Sequence, residues 1–326
     1  MVFHRIKKTH RKKYHYLIEN LKFQGKVHQI QKYIGSGKIN KSEIKEKKKE
    51  LDEWFRYRLI NKKVQLSSVN YRSKFLSNKQ IVQLEKIKFI IKDFKKKLHP
   101  NEIEIIDRDF DITYIHSTTA TEGNTCTLAE VTHILEDSIS PKGRSLREIY
   151  EIRNFEEVLK YRKKYNGEIS KQFIQKLHEL IMKDIDLFTL GTFRRIEVAI
   201  RGSKTTPVPA IFIEEEIDKL LEWFKKEKDN IHPVELAIRF HVKFEQILPF
   251  TDGNGRVGRE IFNFIITNFD FPPLNFDITK RDEYIDGLEK ANQAKFNSIF
   301  KYVINNYLNQ TKLRLGSNYL SKILEL

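Results

Sequence analysis

A glycine-rich turn between two apolar segments is the feature that most constrains this chain. Residues 247–260, ILPFTDGNGRVGRE, place three glycines, an asparagine, two acids and two arginines in a short stretch. Apolar residues recur every three or four positions before it and after it, which predicts two helices. An Asn-Gly pair often indicates a β-hairpin, but these flanks do not alternate. The turn is therefore predicted to lie where the second helix begins.

The residues of this turn suit the binding of a charged phosphate chain. Gly253, Asn254 and Gly255 let successive backbone N–H groups converge on an anion without a Cβ in the way, and the helix dipole adds partial positive charge. Arg256 and Arg259 lie three residues apart on one helical face, so both guanidinium groups can reach a polyphosphate. We call these groups the anion site.

An acidic residue beside the anion site points to a metal ion. Asp252 would repel a polyphosphate unless a hard divalent cation bridged its carboxylate and the phosphate oxygens. The expected ion is Mg²⁺. The turn by itself therefore predicts a site for a magnesium-bound polyphosphate.

The same stretch resembles the signature of the Fic family, His-Pro-Phe-x-Asp/Glu-Gly-Asn-Gly-Arg-x-x-Arg. The eleven positions 249–259, PFTDGNGRVGR, fit it throughout. Members of the family are helical proteins that mostly transfer AMP from ATP to a Ser, Thr or Tyr hydroxyl of a target protein. The resemblance extends over roughly residues 110–308. It implies a mainly α fold, a Fic-type helical bundle with a short β-hairpin, and the use of ATP and Mg²⁺.

The first position of the signature departs from the family. A histidine there acts as the general base that takes the proton from the target hydroxyl, whereas this chain has Leu248. A general base typically contributes about 10²- to 10⁴-fold in rate, so transfer is expected to be impaired while nucleotide binding is retained. His241 lies about two helical turns earlier, roughly 10 Å away, and its place among apolar residues predicts a buried packing role.

A second segment is similar to an inhibitory motif of one class of the family. Residues 118–131, TTATEGNTCTLAEV, match Ser/Thr-x-x-x-Glu-Gly/Asn. The resemblance implies an inhibitory helix near residues 113–124 whose Glu122 pairs with Arg259 and occupies the γ-phosphate position. The alternative is that Gly123 simply ends a helix, and both can hold together.

Two further segments complete the resemblance. Residues 191–210 alternate like strands around a turn at Gly202 and Ser203, and resemble the family's flap, a hairpin that binds a target peptide as an added strand; the flap is expected at about 197–210. Residues 281–304 are similar to the family's adenine-contacting segment, which points to Tyr284 and Asn292. An ordinary surface hairpin and simple packing of Tyr284 remain the alternatives.

The positive charge is concentrated before this region. Residues 1–100 contain 28 Lys/Arg and 8 Asp/Glu, a net of +20, while the whole chain has +16. Such an asymmetry can indicate a surface for nucleic acid, and solvated helix faces are the alternative. Residues 11–35 alternate around Gln24 and Gly25, which predicts a basic β-hairpin, and two amphipathic helices should follow, from Lys41 to about residue 63 and from Asn78 after a cap at Ser77.

Composition limits the remaining classes of protein to which this chain could belong. No apolar run approaches the roughly 18 residues of a membrane span, and the basic first residues lead into no signal-like apolar stretch, so a cytoplasmic protein is expected. Cys126 is the only cysteine and is expected to pack rather than react. The target protein is undefined and a homodimer is an open alternative. The expected regions are a basic hairpin module (1–40), a helical support (41–109), the Fic domain (110–308) and a helical tail (309–326).

Overall fold

The computed structural model describes residues 1–9, 12–186, 188–198 and 206–315. The chain divides into two compact units, and the division falls between Asn70 and Tyr71. The first unit consists of β1 (Phe3–Thr9), β2 (Lys12–Phe23), β3 (Lys26–Ser36), α1 (Lys41–Glu50) and α2 (Asp52–Ser68).

The first unit is a three-stranded antiparallel sheet packed on α2. The strands lie in the order β1-β2-β3, and β2 turns into β3 at Gln24 and Gly25, both of which have positive φ angles. The predicted hairpin is therefore present, but β1 extends it to three strands. Leu17 and Leu21 are buried and face the same side as His15, and α2 contacts β2 and β3 on that side.

The helix expected from Lys41 to about residue 63 is two helices. Asn40 caps α1 through a capping box with Glu43, and Leu51 separates α1 from α2. Phe55, Ile60 and Val64 form the buried face of α2, which is the narrow apolar stripe that a surface helix needs against a sheet.

The second unit consists of helices joined by loops over its described residues. Side-chain caps start several of its helices: Ser77, Thr127 and Ser145 each form a capping box, which satisfies backbone donors that have no partner inside the helix. The cap predicted at Ser77 is present. Its helices are α3 (Asn78–Lys95), α4 (Pro100–Thr121), α5 (Leu128–Thr132), α6 (Leu146–Lys164), α7 (Lys171–Met182), α8 (Ile213–Glu227), α9 (Pro233–Ile247), α10 (Asn254–Asn268), α11 (Arg281–Asn292) and α12 (Asn297–Leu315).

The α9–α10 pair is the centre of this unit. Nearly every residue of α9 and of the first three turns of α10 is buried, and the aliphatic and aromatic side chains of α3, α4, α6, α7, α11 and α12 belong to the same core. Helices that are apolar on most of their circumference must lie inside a domain. The turn between α9 and α10 is consequently held on both sides by rigid elements.

The strand-like segment at 191–210 differs from the prediction. Residues 191–198 and 206–209 are not in strands, and the expected turn at Gly202 and Ser203 lies outside the described residues. Arg194 links the two flanks, because its guanidinium donates to the carbonyls of Ile196 and Val208. At the other end, α12 crosses the expected boundary at residue 308.

Within the described ranges, no helix is long and apolar enough to cross a membrane.

Candidate functional site

The turn between α9 and α10 has a left-handed backbone at both ends, which is strained at the leucine but not at the glycine. Leu248 ends α9 with φ 50° and ψ 61°, and Gly253 precedes α10 with φ 76°. Asn254 closes the turn, because its side chain accepts from the Phe250 N–H at 2.9 Å and donates to the Phe250 carbonyl at 2.8 Å. The Asn254 side chain is thus occupied within the turn, so it is the backbone N–H groups at the start of α10, rather than this amide, that can bind an anion there.

Glu122 lies over the start of α10. Helix α4 ends at Thr121, Glu122 is its C-cap, and Gly123 has a positive φ of 103°, so the ending that Gly123 predicts is present. The Glu122 carboxylate lies so close to Gly255 that a Cβ there would overlap it. It accepts from Arg259 Nη2 at 2.7 Å. A carboxylate of this chain therefore occupies the place where the sequence predicts a phosphate.

Arg259 is held firmly in this position. It is 1% exposed, and its guanidinium also donates to the hydroxyl and carbonyl oxygens of Thr118, both at 2.9 Å. Burial would lower the pKa of Arg259, but Glu122 and Tyr284 outweigh it and raise the pKa. Arg259 is consequently a permanent cation.

Arg256 and Asp252 form the other side of the site. Arg256 Nη1 lies 3.1 Å from Glu151 Oε1, and Nη2 lies 3.5 Å from Asp252 Oδ1. Asp252 also pairs with Arg147 at 2.7 Å. Burial would raise the pKa of Asp252, but Arg256, the Gly253 N–H and Arg147 outweigh it and lower the pKa. Asp252 is therefore ionised at neutral pH and has a half-exposed carboxylate.

These residues fit Mg²⁺ only together with a nucleotide. The described residues contain no group of three His, Cys, Asp or Glu side chains that could hold a metal ion, so Asp252 would be the single carboxylate ligand. Mg²⁺ is commonly held by one or two carboxylates with phosphate oxygens and water. Buried Arg256 Nε also lacks a hydrogen-bond partner among the described residues, which leaves a donor for an anionic ligand.

The segment around Leu248 is fixed by a residue that the sequence analysis did not single out. Buried Arg194 donates from Nε to the Leu248 carbonyl at 2.8 Å, and its backbone N–H donates to the Pro249 carbonyl at 2.8 Å. Leu248 itself is partly buried and offers no titratable group. The backbone of the signature is thus held in place while its first side chain cannot move a proton.

Two histidines near the turn are buried packing residues. His241 is 1% exposed, and its Nε2 lies 2.7 Å from the Tyr284 hydroxyl; burial, and then Arg259, lower its pKa to about 3. His178 stacks on Phe250 with ring centroids 3.8 Å apart, and burial lowers its pKa to about 4. Because the Gly191 N–H donates to Nδ1 of His178, its Nε2 carries the proton toward the Asp252 carbonyl. The packing prediction for His241 is confirmed.

Glu245 is an unexpected carboxyl group behind the anion site. It lies on α9 one turn before Leu248, and its Oε1 approaches Gly258 and is 3.8 Å from His241 Nδ1. Burial raises the pKa of Glu245 to about 8, although Arg259 acts in the opposite direction. The group is therefore protonated at pH 7 and does not accept a further proton.

The expected adenine contacts lie on α11. Tyr284 is 2% exposed and its ring lies 6.0 Å from Arg259 Cζ, so it packs beneath the anion site. Asn292 is partly buried at the end of α11. Arg281, at the start of α11, donates from Nε to the Thr121 carbonyl at 2.9 Å and so fixes the end of α4 that carries Glu122.

Some residues of the site can be predicted from a sequence motif, and others are found only in the packed structure. Glu122 and the residues of the turn stand in recognisable patterns. Of the supporting residues, Arg194 lies in a loop, Arg147 and Glu151 lie on α6, His178 on α7, Glu245 on α9 and Arg281 on α11. Glu245 is close to the turn in sequence, but no recognisable pattern marks it or the others.

A comparison with protein-family models matches residues 168–266 to the Fic/DOC family. Among curated proteins, "Protein adenylyltransferase fic-1" of Caenorhabditis elegans is 30% identical over 217 residues, which is 65% of this chain and 42% of that protein. "Protein adenylyltransferase Fic" of Nematostella vectensis is 29% identical over 195 residues, 58% of this chain and 45% of that protein. This chain spans less than half the length of these curated relatives.

Solved structures agree with the fold. A fragment of Fic-1 from Caenorhabditis elegans has a TM-score of 0.64 at 27% identity and covers 73% of this chain and 71% of its own. A Fic family protein from Desulfovibrio desulfuricans has a TM-score of 0.62 at 24% identity, with 77% of both chains covered; at that identity the likeness concerns the fold alone.

Proposed function

Because this chain contains a Fic/DOC domain, we propose that it binds Mg-ATP at the start of α10 and belongs to the type that transfers AMP to a hydroxyl of a target protein. The observation that carries this proposal is the carboxylate of Glu122, which occupies the anion site and pairs with Arg259 at 2.7 Å. A site that accommodates an internal carboxylate against a buried arginine and the backbone at Gly255 is suited to phosphate oxygens.

Glu122 would make the resting protein autoinhibited. A γ-phosphate and the Glu122 carboxylate would compete for Arg259 and for the backbone at Gly255, and two anions there repel each other. ATP would bind weakly, or in a pose whose α-phosphate is not presented to the target. Movement of the end of α4 would then release the site, and Arg281, which bonds to Thr121, would have to follow.

Asp252 would hold the metal ion of the bound nucleotide. To do so its carboxylate must leave Arg147, whose guanidinium lies half-exposed at 2.7 Å. The ion would supply charge neutralisation on the phosphates, while Arg256 and Arg259 orient the chain of phosphates. The target would dock at about residues 197–210, on the flap that the resemblance implies.

Leu248 would leave transfer severely impaired. The nearby titratable side chains do not replace a general base: His178 and His241 are buried with pKa values of about 4 and 3, and Glu245 is protonated at pH 7. A weak or inaccessible base contributes little to proton transfer. The same observation favours a second candidate, a nucleotide-binding regulatory module in which transfer plays no part.

Transfer of label from α-labelled ATP tests the proposal. We expect no transfer by Glu122→Gly and measurable transfer by Glu122→Gly combined with Leu248→His, because only the latter has both an open site and a base. Transfer by both variants would mean that another residue takes the proton. ATP binding without transfer in either variant would favour the regulatory module, and absence of ATP binding in both would refute the nucleotide site.

A further inference from the structure

We infer that the open face of the N-terminal sheet binds single-stranded nucleic acid. The face opposite α2 carries Tyr14 and Tyr16 of β2, which pair across the sheet with β1 and β3 and are partly exposed, and Tyr33 of β3, which is 49% exposed. The open part of this face lies around these rings, because Ile18, the next residue along it, is buried. The three rings form one cluster, because the Tyr33 centroid lies 6.3 Å from that of Tyr14 and 5.6 Å from that of Tyr16.

Basic side chains surround this cluster. Arg5 and Lys7 are exposed on β1 directly beside Tyr16 and Tyr14 in the pairing register, and Lys7 Nζ lies 4.8 Å from the Tyr16 centroid. Across residues 1–36 there are nine Lys/Arg and one Asp/Glu. The sheet is therefore an aromatic surface within a strongly positive field, the combination that binds a flexible phosphate chain by charge and its bases by stacking.

Amide side chains complete the face. Gln31 accepts from Lys7 at 3.1 Å, and Gln29 donates to Asn20 at 3.1 Å, so the surface beside the tyrosines carries groups that can hydrogen-bond the edges of bases. Exposed amides and tyrosines suit unstacked bases better than lipid, since a bilayer-binding face is enriched in Trp, Phe and Leu. A single strand is favoured over a duplex because only unpaired bases can lie flat on a ring.

The proposal does not depend on the nucleotide site. The open face belongs to residues 1–70, whereas Glu122, Arg256 and Arg259 belong to the other compact unit. Failure of the test below would leave the proposed adenylyl transfer unaffected, and failure of adenylyl transfer would leave this surface unaffected.

Fluorescence anisotropy of the full chain with labelled oligouridylate tests the inference, with oligothymidylate as a second arm to separate RNA from DNA. We expect binding at low salt that weakens steeply as salt rises. Tyr16→Ala and Tyr33→Ala should each weaken binding about tenfold, whereas Tyr16→Phe and Tyr33→Phe should retain it, because a phenyl ring still stacks. Tyr33 is half exposed on an edge strand, so its replacement leaves the fold intact.

A matched pair of charge variants controls for the overall positive field. Lys7→Gln should weaken binding more than Lys49→Gln, which removes the same charge from an exposed position on α1. The inference is overturned if neither oligonucleotide binds, if the alanine variants bind like the parent chain, if a duplex of equal length competes as well as a single strand, or if phosphatidylserine vesicles bind while the oligonucleotides do not.

Discussion

At the scale of single residues, the backbone at Leu248 matters as much as its missing imidazole. A leucine at φ 50° is in the left-handed region, which costs a non-glycine residue roughly 1 kcal/mol. Histidine is enriched there relative to most residues. The backbone conformation at position 248 therefore suits histidine better than the leucine that occupies it.

We expect Leu248→His to leave the free energy of unfolding unchanged or to raise it by up to about 1 kcal/mol. Replacing a partly buried leucine usually lowers the stability of a protein. An unchanged free energy of unfolding would therefore itself support this account of the backbone. Urea unfolding measures the difference. Leu248→Val is the matched control: a β-branched residue tolerates positive φ poorly, and it should be less stable than the parent chain. A destabilised histidine variant alongside an unchanged valine variant would contradict this account.

Glu122 should also determine affinity for ATP. Its negative charge competes with phosphate for Arg259, so Glu122→Gln should bind Mg-ATP about tenfold more tightly, a gain of about 1.4 kcal/mol. Isothermal titration calorimetry measures the affinity. Glu214→Gln removes the same charge from an exposed residue of α8 that pairs with Lys171 and should have no effect. Equal changes in both variants would show that only the general field is altered.

At the scale of elements, the close contact of α9 and α10 depends on Gly258. A Cβ at this position would overlap Glu245 Oε1 and lie 2.8 Å from His241 Nδ1. We expect Gly258→Ala to lower the free energy of unfolding by roughly 1–3 kcal/mol, although alanine has the higher helix propensity. Chemical denaturation tests this, with the exposed Asn268→Ala on the same helix as control. A more stable Gly258→Ala would show that the helices can separate freely.

Helix α7 should give the protein an acid-sensitive element through His178. The pKa of His178 is lowered from 6.5 to about 4 by burial, so below pH 6.5 the unfolded chain binds a proton that the folded chain does not. Its stabilising contribution is complete above pH 6.5 and is lost as the pH falls toward 4, by about 3 kcal/mol in total. His178→Gln should reduce this pH dependence in denaturation curves between pH 7 and 4. An identical pH profile in the variant would refute the assignment.

At the scale of the whole molecule, the nucleotide site should work without the basic sheet. Every side chain placed at the site lies in the unit Tyr71–Ser317, and compact units with their own core can generally fold alone. A fragment of residues 71–317 that also carries Glu122→Gln should bind Mg-ATP with the affinity of the full-length variant, measured by calorimetry. A soluble, folded fragment with much weaker binding would show that residues 1–70 contribute to the site.

Most of the helices, and the position of Gly253, Asn254 and Gly255 at the start of a helix, could be predicted from the sequence, because both follow from local rules. Helical periodicity and caps such as Ser77 depend on neighbouring residues only, and a Gly-Asn-Gly stretch before a helix exposes backbone donors in any fold. The hairpin turn at Gln24 and Gly25 was foreseeable for the same reason, although β1 was not, since its short basic sequence carries no apolar alternation.

The tertiary structure alone decided what surrounds the anion site. Glu122 reaches Gly255 and Arg259 only because α4 ends above α10, and Arg194 reaches the Leu248 carbonyl only because its loop passes along the turn. Contacts between residues more than fifty positions apart depend on how helices pack, which a single sequence does not encode locally. The buried pKa values of His178, His241 and Glu245 arise in the same way, since burial is a property of the assembled core.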